Sequence, residues 1–178
     1  MQQTKKSSWF TFFWRITSVH MVTYFIAGIL ASTLLNYKDF FGKIMLSVFM
    51  RSLDSPWVAA GPSLQVFRGL LFALVLWPIR NTFLEDEKGW LKLWLLLIGL
   101  AILGTAGPSP GSLEGIIYTK LPLKYHLWGL PEVFFQTMLF SLGIVLWYKK
   151  PTRVWNIVMT IAVVLIVLMS VAGAFLRK

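Results

Sequence analysis

Apolar runs too long for any soluble helix recur through this chain from Phe10 to Leu176. A helix needs about twenty such residues to cross the hydrocarbon of a bilayer. Backbone amides can satisfy themselves there only within helices or closed barrels. The runs do not alternate as the strands of a membrane barrel would. The sequence therefore predicts an all-α integral membrane protein, a bundle of about five transmembrane helices at about 9–35, 58–79, 90–106, 127–147 and 152–176. Trp9, Trp57, Trp77, Trp90, Trp128, Trp147 and Tyr148 fall near the ends of these runs, as the aromatic belts at lipid headgroups require. With 178 residues and no polar domain attached, the whole chain reads as one transmembrane domain.

Charge is sparse and placed. Only 13% of residues are charged, against roughly 25% in soluble domains. The net charge of +10 is spread over lysines and arginines at the ends of the apolar runs, with no basic run longer than two residues. That pattern anchors helices in a membrane and does not predict a nucleic-acid partner. With the N-terminus inside, nine of the 17 basic residues fall on the inner side, among them Lys5, Lys6, Arg15, Lys149 and Lys150. Lys38, Lys43, Arg51, Lys120, Lys124, Arg177 and Lys178 fall outside. The expected location is the cell membrane, multi-pass, with a cytoplasmic N-terminus. The first apolar run is too long for a signal-peptide core and contains Arg15 and His20, so it reads as a retained helix.

Between the first two spans, Asp39, Lys43, Ser47 and Arg51 recur at four-residue spacing among Phe40, Phe41, Ile44 and Phe49. This narrow polar stripe predicts an interfacial amphipathic helix at about 39–51, the rival being a short re-entrant span. From Gly107 to His126 the density of Gly and Pro predicts a structured outer loop, with Ser112 placed to cap a short turn at Gly115 and Pro131 placed to start the helix that follows.

Ionisable and amide groups inside a span cost free energy, so they should face the bundle interior and find partners. Gln65 and Arg68 share one face of the second span, and Glu132 and Gln136 share one face of the fourth. Glu132 is the only acidic residue within the five spans, hence the expected counter-charge of Arg68. His20 and Tyr24 form a polar line on the first span with Thr17 and Gly28, either a lining or a packing seam. Glu114 and His126 lie in the outer loop and would roof a cavity above Arg68 and Glu132. Asn156 and Thr160 on the fifth span suggest a helix–helix contact.

No metal spacing, nucleophile elbow or phosphate loop occurs. No cysteine is present, which excludes thiolate chemistry and disulfides. No catalytic residue, metal site or cofactor is predicted. In format (five helices, length, many tryptophans) the chain resembles the tryptophan-rich sensory, or translocator, proteins. Trp77-Pro78 is the only Trp-Pro step, however, so no residue role is carried over from that family. The leading functional expectation is a bundle that binds or passes a small amphipathic or anionic molecule at an outward-opening site of Arg68, Gln65, Glu132 and Gln136. The first rival is an accessory subunit whose polar faces meet a membrane partner or a second copy. The second is a lipid-modifying or hydrolytic enzyme with Glu114, Glu132 or His126 as acid or base. Membrane lipid is a partner in every case.

Overall fold

A computed structural model of the chain describes residues 8–37, 50–103 and 109–177. Among the described residues the architecture is all-helical. Ser8 caps the first helix, α1 (Trp9–Leu34), by accepting the Thr11 amide at 3.3 Å. Pro56 opens α2 (Pro56–Leu76), where a missing amide costs nothing. A tight connector holds the short α3 (Arg80–Leu84) before α4 (Gly89–Leu103). The outer loop carries α5 (Leu113–Tyr118) and α6 (Leu123–Trp128). Gly129 joins α6 to α7 (Leu130–Lys149), and Thr152 caps the final α8 (Arg153–Leu176). The Ser112 cap and the Pro131 helix start are both found as the sequence predicts.

Four helical stretches are long and apolar enough to cross a membrane: Trp9–Leu34, Pro56–Leu76, Leu123–Lys149 and Arg153–Leu176. The apolar α4 is shorter, at 15 residues. The expected interfacial helix at 39–51 lies almost wholly outside the described residues, which resume at Met50.

The centre of the bundle is α1, half of whose most apolar stretch is buried against 11% for α2. It packs against α2, α7 and α8, while α4 covers the far side of α7 and α8 also packs on α2. Without a hydrophobic force between helices in lipid, close approach depends on small residues. Gly69 supplies it: a Cβ there would lie 2.8 Å from Thr17 Cα on α1. Gly143 on α7 does the same opposite Val19. The contiguous core, with Phe12, Ile16, Leu76, Phe83, Leu93, Ile144 and Trp147, sits toward the end of the bundle where α1 begins. At that end Asp86 receives the Lys92 ammonium at 2.5 Å and the Lys88 amide at 2.8 Å, which hold its carboxyl below the usual carboxylate range. The outer faces are apolar, as with Leu71, Leu74, Val154, Ile161 and Leu168, far beyond what a soluble monomer exposes.

The α2–α8 contact rests on a residue the sequence did not single out. Ser170 Oγ donates to Ala59 O at 2.7 Å and accepts from Ser63 N at 3.2 Å. It thereby bridges one step of the α2 ladder beside Pro62, which has no amide of its own. The contact expected of Asn156 and Thr160 is not made among the described residues: both are exposed, and Thr160 bonds back to Asn156 O at 2.8 Å.

Candidate functional site

The polar groups of the spans fall into three places. At mid-bundle, His20 on α1 is 1% exposed and wedged between Phe72 of α2 and Phe140 of α7, with ring centroids at 5.0 and 5.8 Å. Its Nε2–H donates to Gln65 Oε1 at 3.1 Å, and the Gln65 amide points back to Gly61 O. This assigns the proton to Nε2 and leaves Nδ1 as an acceptor. Among the described residues that atom is buried without a partner, as are Thr17 Oγ1 and Ser141 Oγ. Polar atoms left unpaired at such depth are costly.

Nearer the end where α1 finishes lies a cavity of about 520 Å³. Its walls include Tyr24, Gly28, Ile29 and Tyr37 from α1 and its end, Arg51 and Leu53 from the segment before α2, Val58 and Pro62 from α2, and Glu132 from α7. Tyr37 donates its hydroxyl to Glu132 Oε2. Burial first, then this bond and the nearby carboxylate charge, raise the Tyr37 hydroxyl well above the usual phenol range. The Arg51 guanidinium lies 5.6 Å from the Trp57 ring centroid.

The expected ion pair between Arg68 and Glu132 is not formed. Glu132 is taken by Tyr37, and the Arg68 guanidinium, exposed on α2, lies 5.6 Å from the ring centroid of Phe72 on its own helix. The physical reason is register. Both α2 and α7 run antiparallel to α1, hence parallel to each other, and Phe72 meets Phe140 at 5.5 Å. Counting back one turn from each puts Arg68 level with Gln136, and Glu132 about 6 Å nearer the bundle end. Gln136 is half-buried, with no side-chain hydrogen bond among the described residues.

The outer loop is built as a self-contained knot. Ser112 Oγ accepts from Gly115 N at 2.9 Å and donates to Ser109 O at 2.8 Å. Gly111, with φ +88°, donates its amide to His126 Nδ1 at 3.3 Å, so Nε2 carries the ring proton and faces Leu121 O at 3.2 Å. Both nitrogens of His126 are therefore used to hold the loop. Glu114, in the first turn of α5, is half-buried. A second cavity of about 110 Å³ separates this knot from α4 and α7. The two predicted loop residues thus lie away from the walls given above for the larger cavity. Among the described residues no group of three or more His, Cys, Asp or Glu is arranged to hold a metal ion.

Of the predicted site residues, the fold brings Tyr24 and Glu132 into one cavity and His20 and Gln65 into one hydrogen bond. Tyr37 and Arg51 are not among the predicted site residues, Arg51 belonging to the predicted interfacial stripe; both lie in connecting segments whose position only the packed bundle fixes. Comparison of the chain with protein-family models, with curated proteins and with solved structures finds no match.

Proposed function

We propose that this is a five-span membrane protein, with α4 as the additional span and the N-terminus in the cytoplasm, that binds an amphipathic molecule in the cavity between α1, α2 and α7. The observation that carries the reading is the cavity's make-up: a mostly apolar wall that also includes Tyr24, Tyr37, Arg51 and Glu132, in the size range of small-molecule sites. Phe25, Ile29, Val58 and Pro62 suit an apolar chain. Arg51 suits an anionic group on the head, and Glu132, held by Tyr37, suits a donor beside it. The cation thus comes from Arg51 in place of Arg68, and His20 and Gln65 lie deeper, along the route a passing molecule would take.

Gly28 provides the test. A Cβ at this wall position meets nothing within 4 Å, so Gly28→Leu should fill the cavity without disturbing the helices. An apolar chain bearing a carboxylate and a fluorophore, 11-dansylamino-undecanoate, should bind the purified full-length protein and lose about tenfold or more of its affinity in Gly28→Leu. Arg51→Gln should weaken it by a similar factor, whereas Glu114→Gln should not. Equal affinity in the wild type and a folded Gly28→Leu variant would exclude the cavity as the site.

A second reading has one observation behind it. Arg68 is exposed on the flank of α2, with only the Phe72 ring as its recorded contact among the described residues. A charge on the flank of a spanning helix suits a helix of a second copy or of a membrane partner.

A further inference from the structure

The wall of the larger cavity carries two opposite charges, Glu132 and Arg51. Among the described residues the one ion pair is Lys92–Asp86, so these two pair neither with each other nor with another side-chain charge. The Arg51 guanidinium has only the Trp57 ring, 5.6 Å away. Glu132 accepts the Tyr37 hydroxyl on Oε2, and its Oε1 makes no hydrogen bond among the described residues. A carboxylate at the end of a spanning helix calls for a cation.

A second acceptor lies at a similar depth. In α2 the Val58 carbonyl would take the amide of residue 62, but that residue is a proline and has none. Ser170 bonds the neighbouring carbonyl and amide, Ala59 O and Ser63 N. Val58 and Pro62 both line the cavity, so the open carbonyl belongs to its wall. Counting back two turns from the Phe72–Phe140 contact puts Leu64 level with Glu132, and Pro62 about 3 Å nearer the bundle end. The Glu132 side chain leans toward the N-terminus of α7, which is the same direction. Carboxylate and carbonyl accept and cannot donate, so they cannot satisfy each other. A ligand group that serves both must carry several donors, and the carboxylate selects a positive one. A primary ammonium has three donors, whereas a quaternary ammonium has none.

We infer that the amphipath is a zwitterion of the ethanolamine-phospholipid class, its primary ammonium held by Glu132 and the Val58 carbonyl and its phosphate by the Arg51 fork. This rests on the cavity reading above and adds to it the head that the cavity selects.

Native mass spectrometry of the full-length protein in detergent tests the head. Lysophosphatidylethanolamine, lysophosphatidylcholine and lysophosphatidylglycerol of one chain length share the phosphate and the tail. Offered together at equal concentration to the wild type, the ethanolamine lipid should be retained about tenfold over each of the others. Glu132→Gln keeps an acceptor for Tyr37 but removes the charge, and should erase that preference. Pro62→Ala returns an amide to the Val58 carbonyl and should reduce the preference about threefold. The wild-type comparison needs no variant, so a folding failure of either leaves the proposal falsifiable. Equal retention of the three lipids would overturn the ammonium site; if the fluorescent carboxylate is still lost from Gly28→Leu, the cavity reading survives that result. Preferential retention of the choline lipid would also overturn it, because Tyr24, Phe25 and Tyr37 would then be caging a quaternary ammonium. A glycerol lipid held as well as the ethanolamine lipid would show that hydroxyl donors suffice and would exclude the ammonium. An ethanolamine preference that persists in folded Gly28→Leu or Glu132→Gln would put the head elsewhere and overturn the assignment.

Discussion

Gly69 and Gly28 are both helical glycines in spans, yet their surroundings oppose each other. A methyl at Gly69 would press on the α1 backbone at Thr17 Cα, 2.8 Å away, whereas one at Gly28 meets open space. Alanine in place of glycine gains about 1 kcal/mol of helix propensity in either helix. At Gly69 that gain is outweighed by overpacking of about 1–3 kcal/mol, because the colliding atom is backbone and cannot rotate away. Gly69→Ala should therefore lower the unfolding midpoint in detergent, and Gly28→Ala should leave it unchanged or raise it. A Gly69→Ala protein as stable as the wild type would show that α1 and α2 are less close than described. Neither outcome is legible in the sequence, since what a methyl would meet is set by the facing helix and not by neighbours along the chain.

Among the elements, α8 packs on α2 and is also hydrogen-bonded to it through the Ser170 hydroxyl. Ser170 Oγ serves both Ala59 O and Ser63 N next to Pro62. Removing it leaves a carbonyl and an amide less well satisfied, in a medium that offers no water. Interhelical hydrogen bonds in membranes are nevertheless worth about 0.6–1.7 kcal/mol, since the separated helices find other partners. Ser170→Ala should thus cost about 1 kcal/mol in a reversible unfolding titration, with protection of the Ser63 amide from hydrogen exchange falling specifically. Thr160→Ala should do neither, because Thr160 bonds only within its own helix. The polar side chains of Asn156 and Thr160 suggest from sequence a helix–helix contact of the fifth span, with no partner specified. Ser170 was overlooked because a lone serine in an apolar run has many equivalents, and only the antiparallel register of α2 and α8 brings this one to the proline.

At the scale of the molecule, the five alternating spans we propose would put Ser8 and the Glu85–Glu87 connector on one side and Ser112 and Arg177 on the other. The chain has no cysteine, so single cysteines at Ser8, Glu87, Ser112 and Arg177 report sidedness without background. An impermeant thiol reagent added to right-side-out vesicles should label Ser112→Cys and Arg177→Cys and spare Ser8→Cys and Glu87→Cys. Labelling of Ser8→Cys together with Ser112→Cys would exclude five spans. The sequence by itself determined what depends on local properties: apolar length marked the four helices long enough to cross a membrane, and Ser112 and Pro131 marked two helix starts. Of the polar groups buried within the spans it singled out Thr17 and His20 and missed Ser18, Thr23, Thr137, Ser141 and Ser170. Which of those groups meet was decided only by tertiary structure. Arg68 and Glu132 look complementary by charge, but pairing requires equal depth on facing helices. Because α2 and α7 run parallel with Phe72 against Phe140, the two charges miss by a turn. Glu132 is met by Tyr37 instead, from a segment whose position no periodicity encodes. Hydrophobic length is summed along one helix, whereas register is a relation between two, and it is set by the glycines and aromatic rings that let them pack.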